Sequence, residues 1–175
     1  AMRFVREVGG HVQGSICYTI SPVHTIAQFV ALARQLKELG ADSICIKDMA
    51  GMIAPYDAYE LVGELKSQVG LPVQFHTHYT SGMAMASALK AVEAGVDVVD
   101  TAISALAGLT AQPPTESLVA ILRGTPRDTG LDLNLLADIS SYFGEVRKKY
   151  QSFESGLQGV DVRVLQFQIP GGMLS

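Results

Sequence analysis

Strand-like and helix-like segments alternate along this chain, and the helix-like segments end at glycines. Gly40, Gly70 and Gly95 close three amphipathic stretches, and each is soon followed by a short apolar run typical of a buried strand. Repeated βα units of about 24 to 31 residues predict a parallel sheet covered by helices. A closed (β/α)8 barrel needs eight strands and typically ~250 residues, so we expect the four units here to form half of a barrel.

The periodicity of the apolar residues also predicts where each element lies. The predicted strands cover 11–18, 43–47, 73–76 and 96–102, and the predicted helices cover 25–39, 56–69, 83–94 and 115–122. A helix end precedes them in 1–9. A long amphipathic helix within 131–153 departs from the repeat, and an alternating apolar stretch over 160–169 follows it. We therefore predict an α/β half-barrel over residues 1–124 and the start of a helical extension over residues 125–175.

Charge and composition argue against several classes of protein. The chain has 175 residues, enough for one domain with a substantial core, and a formal net charge of −4. A nucleic-acid-binding surface requires a basic face, so we expect no nucleic-acid partner. We find no apolar run long enough to span a bilayer and no signal peptide, and we expect a cytoplasmic protein. Cys17 and Cys45 lie in apolar runs, and we predict that both are buried, reduced thiols.

Polar residues follow two neighbouring predicted strands, at the edge where a βα barrel places its catalytic groups. His76 and His78 lie two apart on an extended segment, so their imidazoles share one face and can bind one cation. Lys47 occupies the equivalent strand end one unit earlier. Its ammonium would repel a divalent metal, whereas a carbamylated lysine would supply an anionic oxygen ligand. Structural histidines, a lysine paired with Asp48 and a Schiff-base lysine remain open alternatives.

Five motifs occur together, in an order that matches a known family. They are Lys47-Asp-Met-Ala-Gly51, His76-Thr-His-Tyr-Thr-Ser-Gly82, Asp100-Thr-Ala-Ile-Ser104, Thr110-Ala-Gln-Pro-Pro-Thr-Glu116 and Gln168-Ile-Pro-Gly-Gly-Met-Leu-Ser175. Over residues 10–175 the chain resembles the carboxyltransferase domain of the biotin-dependent enzymes. That family includes the oxaloacetate decarboxylase alpha subunit, pyruvate carboxylase with its separate B subunit, and the transcarboxylase subunit acting on pyruvate.

This resemblance implies a role for each residue of the predicted site. Lys47, as a carbamate, would bind a divalent metal together with His76 and His78, and Zn²⁺, Mn²⁺ or Co²⁺ would suit such mixed ligands. The metal would polarise the keto oxygen of pyruvate or oxaloacetate. Ser175 would shuttle a proton between the methyl carbon of pyruvate and the ureido nitrogen of biotin, because a hydroxyl both donates and accepts.

Other polar residues are placed near this site by the same motifs. Asp100 is expected to orient a histidine, as the ligands of a metal site usually require. Thr80 either adds a hydrogen bond in the site or helps to begin the next helix, and we favour the capping interpretation. Thr110 and Gln112 either line the entrance for biotin, together with Gly108, or belong to a plain loop.

The resemblance also predicts partners. Biotin would be attached to a separate carrier domain or subunit, and the substrates would be pyruvate and oxaloacetate. We expect a homo-oligomer, because parallel strands with open edges favour association. A peripheral place on a membrane decarboxylase complex is compatible with the oxaloacetate decarboxylase relatives.

The family pattern differs from this chain in one respect. In the family an Arg-Asp-x-x-Gln-Ser motif in the first half of the barrel supplies an aspartate ligand, and the sequence here contains no such motif. We therefore expect a fragment, truncated at both ends, that forms the C-terminal half of a barrel. Two alternatives remain: a related His-x-His metal-barrel lyase or aldolase-type synthase, and a non-catalytic half-barrel that assembles with a partner.

Overall fold

The computed structural model describes residues 1–154, 156–157 and 159–167, and it contains seven α-helices and four β-strands within those ranges. The strands are β1 (Gln13–Cys17), β2 (Ser43–Asp48), β3 (Val73–Thr77) and β4 (Val98–Val99). The helices are α1 (Met2–Glu7), α2 (Ile26–Glu38), α3 (Pro55–Gln68), α4 (Ala84–Glu93), α5 (Thr115–Leu122), α6 (Leu133–Lys148) and α7 (Val164–Phe167). Single 3-10 turns lie at Ser104–Leu106 and Gln151–Phe153.

The four strands form one parallel sheet in the order β1-β2-β3-β4, which confirms the predicted α/β architecture. The spatial order follows the sequence order, and each strand is followed by a crossover that returns the chain to the same end of the sheet, so neighbouring strands are parallel. The register places Cys17 beside Lys47, and Lys47 beside His76. Equivalent positions of neighbouring strands therefore form a row at the carboxyl edge of the sheet.

The two faces of the sheet differ in chemistry. One face is apolar and packs against α2, α3 and α4, where Ile16, Ile44, Ile46 and Phe75 have no exposed surface. Small and branched side chains from the helices fill the space between them, namely Ala33, Leu61, Val62, Leu65, Ala88 and Ala91. Since side chains alternate along a strand, the opposite face carries the polar residues of β1, β2 and β3. The predicted site lies on this polar face.

The predicted strand over 96–102 is only partly correct. Val98 and Val99 pair with β3, and the hydrogen bond from Asp100 N to Phe75 O, at 2.9 Å, is the last one between these segments. The chain then leaves β3, and Ala102 pairs instead with the segment at Pro114. The fourth strand is short because the backbone of Ala102 bonds to Pro113 O and Thr115 N, at the start of α5, instead of to β3.

The prediction of two buried thiols is wrong for Cys17. Cys45 is buried, and burial raises the pKa of its thiol to about 11. Cys17 is exposed, because β1 is the first strand of the described sheet and Cys17 lies on its polar face. Both cysteines are free thiols.

The segment after α6 returns to the carboxyl edge of the sheet. Asp161 N donates to Thr80 O at 2.7 Å, and Val164 packs against Ala50 and Met52. The alternating stretch predicted over 160–169 therefore contains a turn and the short helix α7 in its described part, whereas residues 168 and 169 lie outside the described residues. Within those ranges, no helix is both long and apolar enough to cross a membrane. The predicted boundary between residues 124 and 125 stays a prediction.

Candidate active site

The loops that follow β2 and β3 are tied together by one buried carboxylate. Asp48, which has no exposed surface, accepts hydrogen bonds from Met52 N at 3.1 Å, Ile53 N at 2.9 Å and Thr77 Oγ1 at 2.8 Å. These bonds fix the turn after β2 and join it to the end of β3. Because neighbouring side chains of a strand point to opposite faces, Lys47 lies on the polar face of the sheet. Asp48 is therefore directed away from the predicted site.

The Lys47 side chain has no hydrogen-bond or ion-pair partner among the described residues. The alternative in which Lys47 pairs with Asp48 is wrong, since the Asp48 carboxylate bonds to other groups. Lys47 stands beside His76 across the sheet. The structure thus leaves a lysine amine next to the histidine pair, available for another partner.

The imidazoles of His76 and His78 converge on one point. Their Nε2 atoms lie 3.3 Å apart, while His76 Nδ1 lies 2.6 Å from Asp100 Oδ2 and His78 Nδ1 lies 2.5 Å from Thr110 O. A carboxylate and a carbonyl are acceptors, so both Nδ1 atoms donate, and each imidazole in its neutral form then presents a lone pair at Nε2. Two such lone pairs repel each other at 3.3 Å, and a shared proton or a metal cation between them removes the repulsion.

The surroundings of His78 favour its neutral form. Burial lowers the pKa of His78 below its usual value of 6.5, the Thr110 carbonyl opposes that effect, and His76 and Lys47 lower the pKa further. A neutral imidazole is the form that binds a metal ion. His78 is therefore held in the state that a ligand histidine requires at neutral pH.

The other predicted residues occupy different positions around this pair. Gln112 Nε2 lies 3.5 Å from His76 Nε2, and Thr110 contacts the site through its backbone carbonyl. Thr80 does not cap α4, whose N-cap is Met83, so the capping interpretation is wrong for Thr80. Its Oγ1 is buried and has no hydrogen-bond partner among the described residues. Ser175 lies outside the described residues.

Gln74 belongs to the site, although no sequence motif pointed to it. Its Nε2 donates to Asp100 Oδ1 at 2.8 Å and to Asp100 Oδ2 at 2.9 Å. The signal was its position two residues before His76, which places both side chains on one face of β3. Within the described ranges, no group of three or more histidine, cysteine, aspartate or glutamate residues could hold a metal ion. A third protein ligand for the histidine pair would therefore have to be of another type.

Parallel βα units with a convergent histidine pair at the carboxyl edge of the sheet define part of a βα-barrel enzyme domain. The chain belongs to the HMGL-like family, whose model matches residues 1–142. The resemblance to carboxyltransferase domains of biotin-dependent enzymes, predicted from five motifs, is confirmed by the relatives of this chain.

Two relatives show how far the similarity extends. The B subunit of pyruvate carboxylase from Methanocaldococcus jannaschii is 58% identical over the whole chain, which covers 31% of that protein. The 5S subunit of methylmalonyl-CoA carboxyltransferase from Propionibacterium freudenreichii is 48% identical over the whole chain, which covers 35% of it. The chain thus spans about a third of the length of these curated relatives.

A solved structure shares the fold. The carboxyl transferase domain of Rhizobium etli pyruvate carboxylase with pyruvate is 42% identical, with a TM-score of 0.96. The match covers 99% of this chain and 30% of that one. The four-stranded sheet thus corresponds to part of a larger barrel.

Proposed function

We propose that the protein containing this chain transfers a carboxyl group between carboxybiotin and pyruvate or oxaloacetate. It would be the carboxyltransferase component of a pyruvate carboxylase or an oxaloacetate decarboxylase. The observation that carries the proposal is the convergence of His76 Nε2 and His78 Nε2, 3.3 Å apart, beside Lys47, whose side chain bonds to none of the residues that the structure describes. The relatives named for pyruvate carboxylase and for methylmalonyl-CoA carboxyltransferase support the choice of reaction.

The residues present fit a divalent metal ion. Two imidazoles direct their Nε2 atoms to one point, and Lys47 could add an oxygen ligand after carbamylation. In that step the unprotonated lysine amine attacks carbon dioxide, a C–N bond forms as one C=O π bond opens onto oxygen, and a proton passes from the nitrogen to solvent to yield the carbamate. Zn²⁺, Mn²⁺ and Co²⁺ suit such a mixture of nitrogen and oxygen ligands. When bound, the metal supplies a Lewis acid that polarises the keto oxygen and stabilises enolate charge.

The chain's own residues would prepare the site for this chemistry. Asp100 and the Thr110 carbonyl each hold an Nδ1 proton, which fixes the orientation of the two imidazoles. Asp48 joins the turn after β2 to the end of β3. Ser175 would move a proton between the pyruvate methyl group and biotin, a role supported by its motif alone.

We further propose partners and a location for this protein. Biotin would arrive on a separate carrier domain or subunit, a proposal supported by the Rhizobium etli structure with pyruvate and biocytin. The protein would be cytoplasmic, which agrees with its two free cysteines. It would form a homo-oligomer, and the outer edges of β1 and β4, which have no strand partner within the described ranges, are where the remaining strands of the barrel would pair.

Replacement of His76 by alanine tests the proposed function. In the protein containing this chain, we expect His76→Ala to lower kcat/KM for oxaloacetate decarboxylation by at least about 100-fold, since loss of a ligand should exceed the usual effect of losing its partner. His24→Ala is the matched control. His24 is exposed, is far from the histidine pair in sequence, and has its own hydrogen-bond partner, Ser21 Oγ, at 2.7 Å. Its activity should stay within about twofold of the parent. Equal activity of the two variants would rule out a role for the histidine pair.

A further inference from the structure

We propose that Gln74 is a positioning residue that sets the orientation of His76 through Asp100. The Gln74 amide donates to both oxygens of the Asp100 carboxylate, at 2.8 and 2.9 Å, and Asp100 Oδ2 in turn lies 2.6 Å from His76 Nδ1. The three side chains lie on the polar face of β3 and at the end of β4. The effect of Gln74 on metal binding rests on the proposed function.

Asp100 depends on Gln74 because little else holds it. Among the described residues, Gln74 is the only hydrogen-bond partner of Asp100 Oδ1, while Oδ2 is shared between Gln74 and His76. The Asp100 side chain is partly exposed and follows the two-residue strand β4. Without the amide, the carboxylate could rotate, and water could compete for the oxygen that holds His76. Gln74 therefore restricts the aspartate to the rotamer that keeps the Nδ1 proton of His76 in place.

The amide of Gln74 also bonds to Gln13 on β1. Gln13 Nε2 donates to Gln74 Oε1 at 2.8 Å and to Ser43 Oγ at 3.4 Å. The Asp100 carboxylate, which only accepts, already requires Nε2 of Gln74 to face it, and the bond from Gln13 to Oε1 is compatible with that orientation. A line of hydrogen bonds thus crosses the polar face from β1 to the end of β4. It terminates on the imidazole whose Nε2 atom faces His78.

The contacts from Gln74 to Asp100 and from Asp100 to His76 define the tautomer of His76. A histidine that donates from Nδ1 to a fixed carboxylate presents Nε2 as a lone pair, and such outer partners typically contribute 10- to 100-fold to metal affinity. Gln74 would act on the ligand without touching the metal or the substrate. Loss of Gln74 should therefore alter the tautomer and metal affinity while the fold persists.

The test compares Gln74→Met with Gln13→Met. Methionine keeps the length of the glutamine side chain but donates no hydrogen bond. Gln13→Met is the control, because the two hydrogen bonds from Gln74 to Asp100 remain available in that variant. In the metal-free protein, ¹⁵N NMR of the His76 ring should show protonated Nδ1 in the parent and in Gln13→Met. Gln74→Met should show a mixture of the two tautomers. Its Co²⁺ dissociation constant should rise about 10-fold, against about threefold or less for Gln13→Met.

A second variant keeps the test decisive. Gln74→Glu retains shape but places a carboxylate against Asp100, so we expect it to disturb the tautomer and Co²⁺ affinity at least as much as Gln74→Met. Circular dichroism should show native helix content in all variants. An unchanged His76 tautomer in both Gln74 variants would overturn the inference. Absence of Co²⁺ binding by the parent, with the tautomer still altered, would count against the proposed function alone.

Discussion

Replacement of Asp48 by alanine is expected to lower the free energy of unfolding by about 3 to 5 kcal/mol. The carboxylate has no exposed surface and accepts three hydrogen bonds, two from the backbone of its own turn and one from Thr77. Alanine would leave the amides of Met52 and Ile53 and the Thr77 hydroxyl without this acceptor in a buried place. Each unsatisfied buried group costs about 1 to 3 kcal/mol.

Urea denaturation followed by circular dichroism measures this loss. Asp48→Asn is the matched variant, because it keeps the shape and one acceptor oxygen while its amide NH2 opposes one of the donors. We expect the free energy of unfolding of Asp48→Asn to lie between that of the parent and that of Asp48→Ala. A loss below about 1 kcal/mol for Asp48→Ala would contradict the role assigned to these hydrogen bonds.

Replacement of Gly51 by alanine is expected to cost about 2 to 5 kcal/mol of stability. Gly51 has a φ of +67°, a left-handed conformation that costs an L-residue about 1 to 2 kcal/mol. A Cβ at this position would also collide with the carbonyl of His78 and lie 3.1 Å from Thr80 N. Overpacking of this kind typically costs about 1 to 3 kcal/mol. The variant would displace the backbone of a predicted metal ligand.

Gly63→Ala provides the control for this substitution. Gly63 lies inside α3, and a Cβ there would have no atom within 4 Å outside its own helix backbone. We expect Gly63→Ala to stabilise the protein by about 0.5 to 1 kcal/mol, since alanine favours the helix over glycine. Thermal unfolding of both variants distinguishes the two environments. If Gly51→Ala were as stable as Gly63→Ala, the loop after β2 would not approach the backbone of His78 as closely as the structure shows.

Much of the fold was predictable because its local signals are strong. Glycines Gly40, Gly70 and Gly95 end their helices with φ values of +99°, +71° and +93°, as a left-handed stop requires. The helix predicted over 115–122 has the observed bounds of α5. The extent of β4 was not predictable, since Val98 and Asp100 have a strand-like pattern whether or not a neighbouring strand continues beside them.

The candidate site was predictable in part. The strand-end positions of Lys47, His76 and His78 are visible in the sequence, because side chains two apart on a strand share a face. The contact of His78 with Thr110 is made by a backbone carbonyl, which no residue type reveals. The contact between Gln74 and Asp100 joins two strands, so it depends on a register that the sequence pattern does not determine.

The most direct measurement is the divalent metal bound per chain after exhaustive dialysis in bicarbonate buffer. It should be made on the protein containing this chain, on His76→Ala, and on His24→Ala as the control. If Lys47, His76 and His78 hold a metal ion, the parent and His24→Ala should retain about one ion per chain, and His76→Ala should lose it. Retention of the metal by His76→Ala, or no metal in any of the three proteins, would contradict a metal site at this histidine pair.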